Sequence, residues 1–199
     1  MRYDFLIETY ATERLKVVSV WSEFRDEELS VRPNSADPRG RSVLEQMVHQ
    51  CVSEDIWFRT MLGIEVGPAP LPNPEARMEF IRKYVDYSGK RLAALGGKDE
   101  AWFEGETNFF DVRRSRAWVL TRRLTHTSHH RGQQMAMLRM LRHDLHSNYG
   151  PTADAGGLMQ DHAPTIYAYP NMEALLENRP KTTLPGAGGK PVTERPDRA

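Results

Sequence analysis

A proline-free segment from about Arg116 to His143 constrains the fold of this chain more than any other stretch. At about 100° per residue, its sequence predicts one long helix with a largely apolar stripe facing inward. Two histidines interrupt that stripe one turn apart, whereas His129 projects roughly 80–100° away from them. The stripe consists of Val119, Arg123, His126, His130, Met137 and Leu141.

The spacing of His126 and His130 has two interpretations. Imidazoles at i and i+4 are about 5–6 Å apart at Cβ, so their lone pairs can converge on one small cation. Such a pair also arises often by chance among ordinary core or surface histidines. A zinc protease would place glutamate directly after the first histidine, where this chain has Thr127. Gly132 costs about 1 kcal/mol relative to alanine in mid-helix, which predicts close packing against a neighbouring element.

Composition narrows the class of protein. The 199 residues contain 27 Lys+Arg and 27 Asp+Glu, so no global field favours nucleic acid or an anionic membrane. A single cysteine, Cys51, rules out an internal disulfide framework and suits a reducing compartment. No apolar run approaches the roughly 20 residues needed to span a bilayer, and the N-terminal residues lack a signal-peptide core. We therefore expect a cytoplasmic protein that acts on neither membranes nor nucleic acid.

Three further segments have helical periodicity. Residues from Asp4 to Leu29 lack glycine and proline, and Pro74 opens a segment that Gly96-Gly97 ends after Leu95. Between them, Ser42 stands three residues before Glu45, which is the capping-box signature of a helix running to about Leu62. Together with the histidine-bearing segment, these helices predict an all-α four-helix bundle.

The segment from Lys98 to Arg114 carries four aromatic residues before the histidine-bearing helix. Because it is too aromatic for a solvated loop, we expect it to pack over one end of the bundle. Its aromatic residues are Trp102, Phe103, Phe109 and Phe110.

The character of the chain changes after Ser147. Residues 1–147 form the predicted bundle, and 148–178 form an irregular C-terminal segment packed on it. Residues 179–199 are rich in proline, glycine and charge with little to bury, so we predict a mobile tail there.

A third metal ligand is less evident from periodicity. His49 is the one histidine of the second helix, and it projects roughly 150° from the centre of that helix's core face. It would meet the other two only if the helix buries a second, smaller face, to which Val52 and Ile56 could belong. A partly exposed polar residue is an equally good interpretation of this position.

Two sequence motifs resemble the DinB/YfiT-like family. These are His49–Trp57, with the sequence HQCVSEDIW, and HTSHHRGQ beginning at His126. The resemblance extends from the first helix to about Leu141, and HxxHHRGQ is its most specific part. Members are four-helix bundles, usually dimeric, that hold a divalent metal through three histidines. By resemblance, the ligands here are His49, His126 and His130, and the protein is a homodimer. Imidazoles suit zinc, nickel, copper or iron, of which zinc and nickel are the first candidates.

The resemblance also implies a small-molecule substrate. Some relatives are S-transferases or isomerases that use a low-molecular-weight thiol, and others are described as metal-dependent hydrolases. We favour thiol chemistry, because the ligand stripe carries no carboxylate where a hydrolase would most simply place its general base. A metal-bound stress-response or binding module without turnover is the alternative from a different class.

Three polar residues near the motifs are candidates for supporting roles. Glu54 could act as a base or orient a ligand, although a salt-bridged or solvated glutamate is as good an interpretation. Arg123, on the ligand stripe, could bind an anionic substrate group or pair with a carboxylate of the bundle. Gln134, one turn after His130, is a candidate to orient a ligand through a hydrogen bond.

The remaining chemistry-bearing residues have simpler interpretations. Cys51 lies on an apolar stripe, where a buried small hydrophobe is a better interpretation than a nucleophile. His143 and His146 fall at the end of the long helix, where cations complement the helix dipole. His162 lies in the irregular segment and could close over the site.

Overall fold

The computed structural model describes residues 2–189 and is mainly helical, as predicted. Its helices are α1 (Asp4–Glu23), α2 (Val43–Ile56), α3 (Arg77–Gly96), α4 (Glu100–Glu104), α5 (Arg116–Met140) and α6 (Met172–Leu176). A 3₁₀ turn, Asp26–Glu28, follows α1, and a π-helical turn, Trp57–Met61, extends α2. The four long helices overlap the four predicted segments, although α1 ends at Glu23 rather than near Leu29 and α3 begins at Arg77 rather than Pro74, and the all-α fold class is confirmed. The chain divides into two compact units between Gln134 and Met135.

The start of α2 follows directly from its sequence. The Ser42 hydroxyl accepts a hydrogen bond from the Glu45 amide at 3.2 Å, and the Glu45 carboxylate accepts one from the Ser42 amide at 2.8 Å. This capping box satisfies two amides that would otherwise lack partners at the helix start. It therefore fixes where α2 begins and, with it, the direction in which each α2 side chain points.

The aromatic linker contains a β-hairpin that periodicity did not predict. Strands β1 (Glu106–Phe109) and β2 (Val112–Ser115) pair antiparallel, with Phe109 opposite Val112. The turn is Phe110-Asp111, which has neither the Asn-Gly nor the Gly-X sequence of common hairpin turns. Nevertheless, the linker packs on the rest of the first unit rather than forming a solvated loop. Phe103 is fully buried in the core of that unit, and Phe109 packs against this core.

The first unit is held together by polar contacts as well as by its apolar core. Helix α1 meets α3 through Arg14, which donates to Ser88 Oγ at 2.8 Å and to the Val85 carbonyl at 2.9 Å. It meets α5 through Glu13, which forms a buried ion pair with Arg131. Such partners are required because a charge removed from water is costly unless it is paired.

The second unit is irregular and holds together partly through its backbone. Asp154 pairs with Arg139 and also accepts from the Leu145 amide at 2.9 Å. Within the predicted tail, the Thr182 amide donates to Ala168 at 2.9 Å and the Gly186 amide donates to Asp154 at 2.9 Å. The tail prediction for 190–199 lies outside the described residues.

Candidate metal centre

Three imidazoles converge in the first unit, on facing sides of α2 and α5. His49 comes from α2, and His126 and His130 come from α5. One ligand nitrogen from each lies within 4.8 Å of the other two. The ring centroids are 5.3 Å apart for His49 and His126 and 4.5 Å apart for His49 and His130. Among residues 2–189, this is the group of His, Cys, Asp and Glu side chains that could hold a metal ion.

The distance between the two α5 rings suits a shared cation. His126 Nε2 and His130 Nε2 are 3.2 Å apart. Zn–N bonds of about 2.0–2.1 Å at the tetrahedral angle place two nitrogens about 3.3–3.4 Å apart. The donor set, three imidazoles, is also one that zinc, nickel, copper and iron accept. The residues present therefore fit a divalent transition metal.

All three rings favour the neutral form that a ligand needs. Burial and the nearby Arg123 charge lower the pKa of His126 to about 3. Burial and the neighbouring histidines His49 and His129 lower the pKa of His130 to about 4. The pKa of His49 is also lowered, first by burial and then by Arg41 and Arg123. A neutral imidazole keeps the lone pair with which it binds a metal.

Two glutamine side chains orient His130. Its Nδ1 lies 2.8 Å from Gln46 Oε1 and 3.1 Å from Gln133 Oε1. Because an amide oxygen only accepts, these contacts place a proton on Nδ1 and leave the lone pair on Nε2. Gln46 Nε2 in turn donates to Gln133 Oε1 at 3.0 Å, which ties the two amides together.

Gln134, the glutamine that sequence singled out, lies elsewhere. Its Oε1 accepts from Trp21 Nε1 at 3.3 Å, beside Gln50, whose Oε1 accepts from the same nitrogen at 3.2 Å. The amide oxygens that contact His130 belong to Gln133, one residue earlier, and to Gln46. Projection along α5 could have pointed to Gln133, three residues after His130, but not to Gln46, which comes from another helix.

Glu54 is the anion at the centre of a buried network. Its carboxylate accepts from Tyr10 at 2.6 Å and from Tyr84 at 2.8 Å, and it pairs with Arg91 at 3.3 Å and Arg123 at 3.4 Å. Burial alone would raise the pKa of Glu54, but the two arginine charges and the two hydroxyls outweigh it and lower the pKa. The salt-bridged interpretation is therefore the one that fits, and Glu54 has no exposed oxygen to act as a base.

Arg123 connects this network to the histidines. Its Nη1 donates to Ser53 Oγ at 2.8 Å and lies 3.4 Å from His126 Nδ1. The second distance exceeds the usual range, so it does not commit that nitrogen to accepting. Since Arg123 is 0% exposed, it is placed to pair with Glu54 and, through its charge, to favour the neutral form of His126 rather than to meet a substrate in solution.

A polar stripe on α2 explains how His49 reaches the site. Gln46, His49, Ser53 and Trp57 recur at spacings of three, four and four, which is one face of a helix. Gln46 contacts His130, Ser53 holds Arg123, and Trp57 stacks on His126 with ring centroids 5.6 Å apart and planes 26° apart. This second face of α2 is therefore polar and aromatic. It differs from the apolar face that Val52 and Ile56 suggested, and Ile56 is 40% exposed.

The other candidates do not join the cluster. His129 is exposed, and its Nε2 lies 3.1 Å from Gln133 Nε2. Cys51 is buried, and burial together with the Glu54 charge raises the pKa of its thiol, which disfavours a reactive thiolate. His143, His146 and His162 belong to the second compact unit.

Comparison with known proteins identifies proteins that are similar to this chain. The family model described as "DinB family" matches residues 4–155. A DinB-like protein from Bacillus subtilis is 14% identical, with a TM-score of 0.55, 70% of this chain covered and 94% of that one. A DinB-like protein from Bacillus cereus is 15% identical, with a TM-score of 0.57, 69% of this chain covered and 91% of that one. At this level of identity, the two structures support the fold alone.

No functionally curated protein matches the chain. Within residues 2–189, none of the helices has the length and apolar character needed to cross a bilayer.

Proposed function

Because this chain belongs to the DinB family, we propose that it is a metal-dependent enzyme that acts on a small molecule. His49, His126 and His130 would hold one divalent transition metal, with zinc or nickel as the best candidates. The observation that carries the proposal is the convergence of the three ligand nitrogens within 4.8 Å. Three protein ligands leave one position for an exogenous group, as in catalytic rather than structural sites.

A metal bound there would act as a Lewis acid that lowers the pKa of a thiol or water in the open position. The residues around it have separate tasks. Gln46 and Gln133 fix the ring of His130, and Arg123 stands between Glu54 and His126. The glutamine contacts hold the ring of His130 in place, so metal binding there needs little rearrangement of this side chain.

The surroundings of the site support thiol transfer over hydrolysis. A hydrolase needs a general base within hydrogen-bond reach of the attacking water. Glu54, the candidate from sequence, is 0% exposed, paired with two arginines and weakened as a base by its lowered pKa. A thiol that loses its proton on the metal has less need of such a base. We therefore favour an S-transferase that uses a low-molecular-weight thiol as co-substrate.

Metal analysis of protein made without a histidine tag tests the metal centre. After zinc or nickel supplementation, we expect about one ion per chain, and sharply less in His49→Ala, His126→Ala or His130→Ala. His129→Ala is the matched control, because it removes an imidazole from the same helix outside the cluster and should leave the ion content unchanged. Wild-type protein with far less than one ion per chain would refute the proposal.

A cobalt-substituted protein tests the choice of reaction. Thiolate coordinated to cobalt gives a charge-transfer band that coordinated water lacks, so titration with a panel of small cellular thiols should produce this band. If no thiol produces it and the protein hydrolyses esters or amides, the hydrolase replaces the transferase. A loaded protein with neither property would instead be a metal-bound binding module.

A further inference from the structure

An aromatic surface adjoins the three histidines. It consists of Trp57 on the π-helical turn, Phe109 and Phe110 of the hairpin, and Trp118 of α5. Trp57 stacks on His126, and the two phenylalanine rings pack edge-on to Trp57 with centroids 5.2 Å and 6.3 Å from it. Phe109 also contacts Trp118 at 4.9 Å. The surface is therefore continuous with one imidazole of the site.

Much of this surface faces solvent. Phe110 is 69% exposed and Trp118 is 40% exposed, whereas Trp57 is buried beneath them. Isolated exposed apolar residues are ordinary, but a contiguous exposed patch beside a polar site is typical of a binding surface. The rings meet nearly edge to face, at 80° and 86° between Trp57 and the two phenylalanines. Exposed aromatic rings of this kind can accept a further flat group by stacking.

The backbone at Phe110 supplies an independent observation. Phe110 is the first central residue of the two-residue hairpin turn, and its φ is 54°. Glycine, asparagine and aspartate are favoured at such positions because a bulky side chain is strained there. Neither the turn nor burial accounts for a phenylalanine at this point. A strained, exposed aromatic residue that packs on Trp57, the ring stacked on His126, is a reasoned candidate for a functional contact.

We propose that this aromatic surface binds a flat apolar group of the substrate, aromatic or conjugated, while another group of the same molecule reaches the metal. The inference rests on the proposed metal-dependent function and narrows its substrate class. The occupant is a small molecule because the surface is continuous, through Trp57, with the half-buried ring of His126.

Two hydroxamates provide the test, because both chelate zinc and differ only in the group beside the chelator. Calorimetric titration of zinc-loaded protein should show benzohydroxamate binding about tenfold more tightly than acetohydroxamate. In Phe110→Asn, whose new side chain suits the turn, we expect the ratio to fall below about threefold. Zinc content and melting temperature should stay at the wild-type level or above. Phe5→Asn, which removes an aromatic residue of α1 that is 56% exposed, should leave the ratio unchanged.

The experiments distinguish failure of the proposed metal-dependent function from failure of the inference about the aromatic surface. Absence of bound zinc would refute the proposed function through the metal analysis alone, before any hydroxamate is added. Zinc binding with equal affinities for the two hydroxamates, or a ratio that survives Phe110→Asn, would overturn only the inference about the aromatic surface. Sedimentation tests whether a second copy of the chain, rather than a small molecule, occupies the surface. If Phe110→Asn turns dimers into monomers and leaves the ratio unchanged, the surface is an interface with a second copy and the inference is wrong.

Discussion

Arg123 and Glu54 form an ion pair of 3.4 Å in which both side chains are removed from solvent. The same guanidinium lies 3.4 Å from His126 Nδ1, so a single side chain contacts both the buried carboxylate and a candidate metal ligand. Burying the pair is costly, but removing one partner alone costs more, because it leaves an uncompensated charge in the core. The network therefore makes the position of α5 against α2 depend on the charge of Glu54.

We predict that Glu54→Gln destabilises the protein by about 3–5 kcal/mol, since Arg91 and Arg123 would then lack their shared carboxylate. Urea unfolding of the metal-free protein measures this change. Glu79→Gln is the control, because its pair with Arg82 is exposed and should contribute at most about 1 kcal/mol. A Glu54→Gln protein as stable as wild type, but catalytically inactive, would instead identify Glu54 as a base.

The same carboxylate should give a pH-dependent stability. The pKa of Glu54 in the folded protein is lowered from that of an unfolded glutamate, about 4.3, so its contribution is complete above that value. The contribution is lost as pH falls through the folded pKa. Besides the two arginines, the groups that face Glu54 are Tyr10 of α1 and Tyr84 of α3, and both phenol pKa values are raised.

Chemical denaturation of metal-free wild type and Glu54→Gln from pH 7 to pH 3 measures this effect. The difference between the two free energies of unfolding should be constant from pH 7 to about pH 5 and should shrink at lower pH. A difference that stays constant down to pH 3 would contradict the lowered pKa.

Gln46 and Gln134 should behave differently toward the metal. Gln46→Ala removes the acceptor 2.8 Å from His130 Nδ1, and we expect metal affinity to fall about 10–100-fold. Gln134→Ala removes a contact to Trp21 instead, so it should lower the melting temperature and leave metal affinity near that of wild type. Competition with a chromogenic chelator measures both affinities. The reverse ranking would favour the role of Gln134 expected from sequence.

Gly132→Ala should stabilise the protein by about 0.5–1 kcal/mol. A Cβ built on Gly132 meets no atom within 4 Å, so the close packing expected from sequence is wrong within the described residues. With no neighbour to clash, alanine gains its usual helical advantage over glycine. Thermal and urea unfolding measure the gain. Destabilisation would indicate that this face of α5 packs against another molecule.

Truncation after Asn178 should weaken the second unit, contrary to the expectation that 179–199 is a mobile tail with little to bury. It removes the Thr182 and Gly186 amides that donate to Ala168 and Asp154. At about 0.5–1.5 kcal/mol per hydrogen bond, the combined loss is about 1–3 kcal/mol. Hydrogen exchange at the Ser147 and Ile166 amides should be faster than in a control truncated after Gly189. Equal exchange rates in the two would restore the original expectation.

The positions of the long helices and of two histidines are determined by local sequence. Helical periodicity, the Ser42–Glu45 capping box and the Gly96-Gly97 stop specify the long helices, because each depends on residues within a few positions of one another. The four-residue spacing of His126 and His130 places both rings on one stripe for the same reason. The resemblance of two short motifs supplied His49, which periodicity left open.

Tertiary structure decided what surrounds those histidines. Whether Glu54 is a base or a buried counter-ion depends on Arg91 and Arg123, which approach from two other helices and are far away in sequence. The same holds for Gln46 against His130. The hairpin at Phe110 escaped prediction because its turn contradicts local preference, and the contact of Phe110 with Trp57 joins residues that lie far apart in sequence. Local rules place a side chain on a helix face, but its charge state and partners depend on which other elements pack against that face.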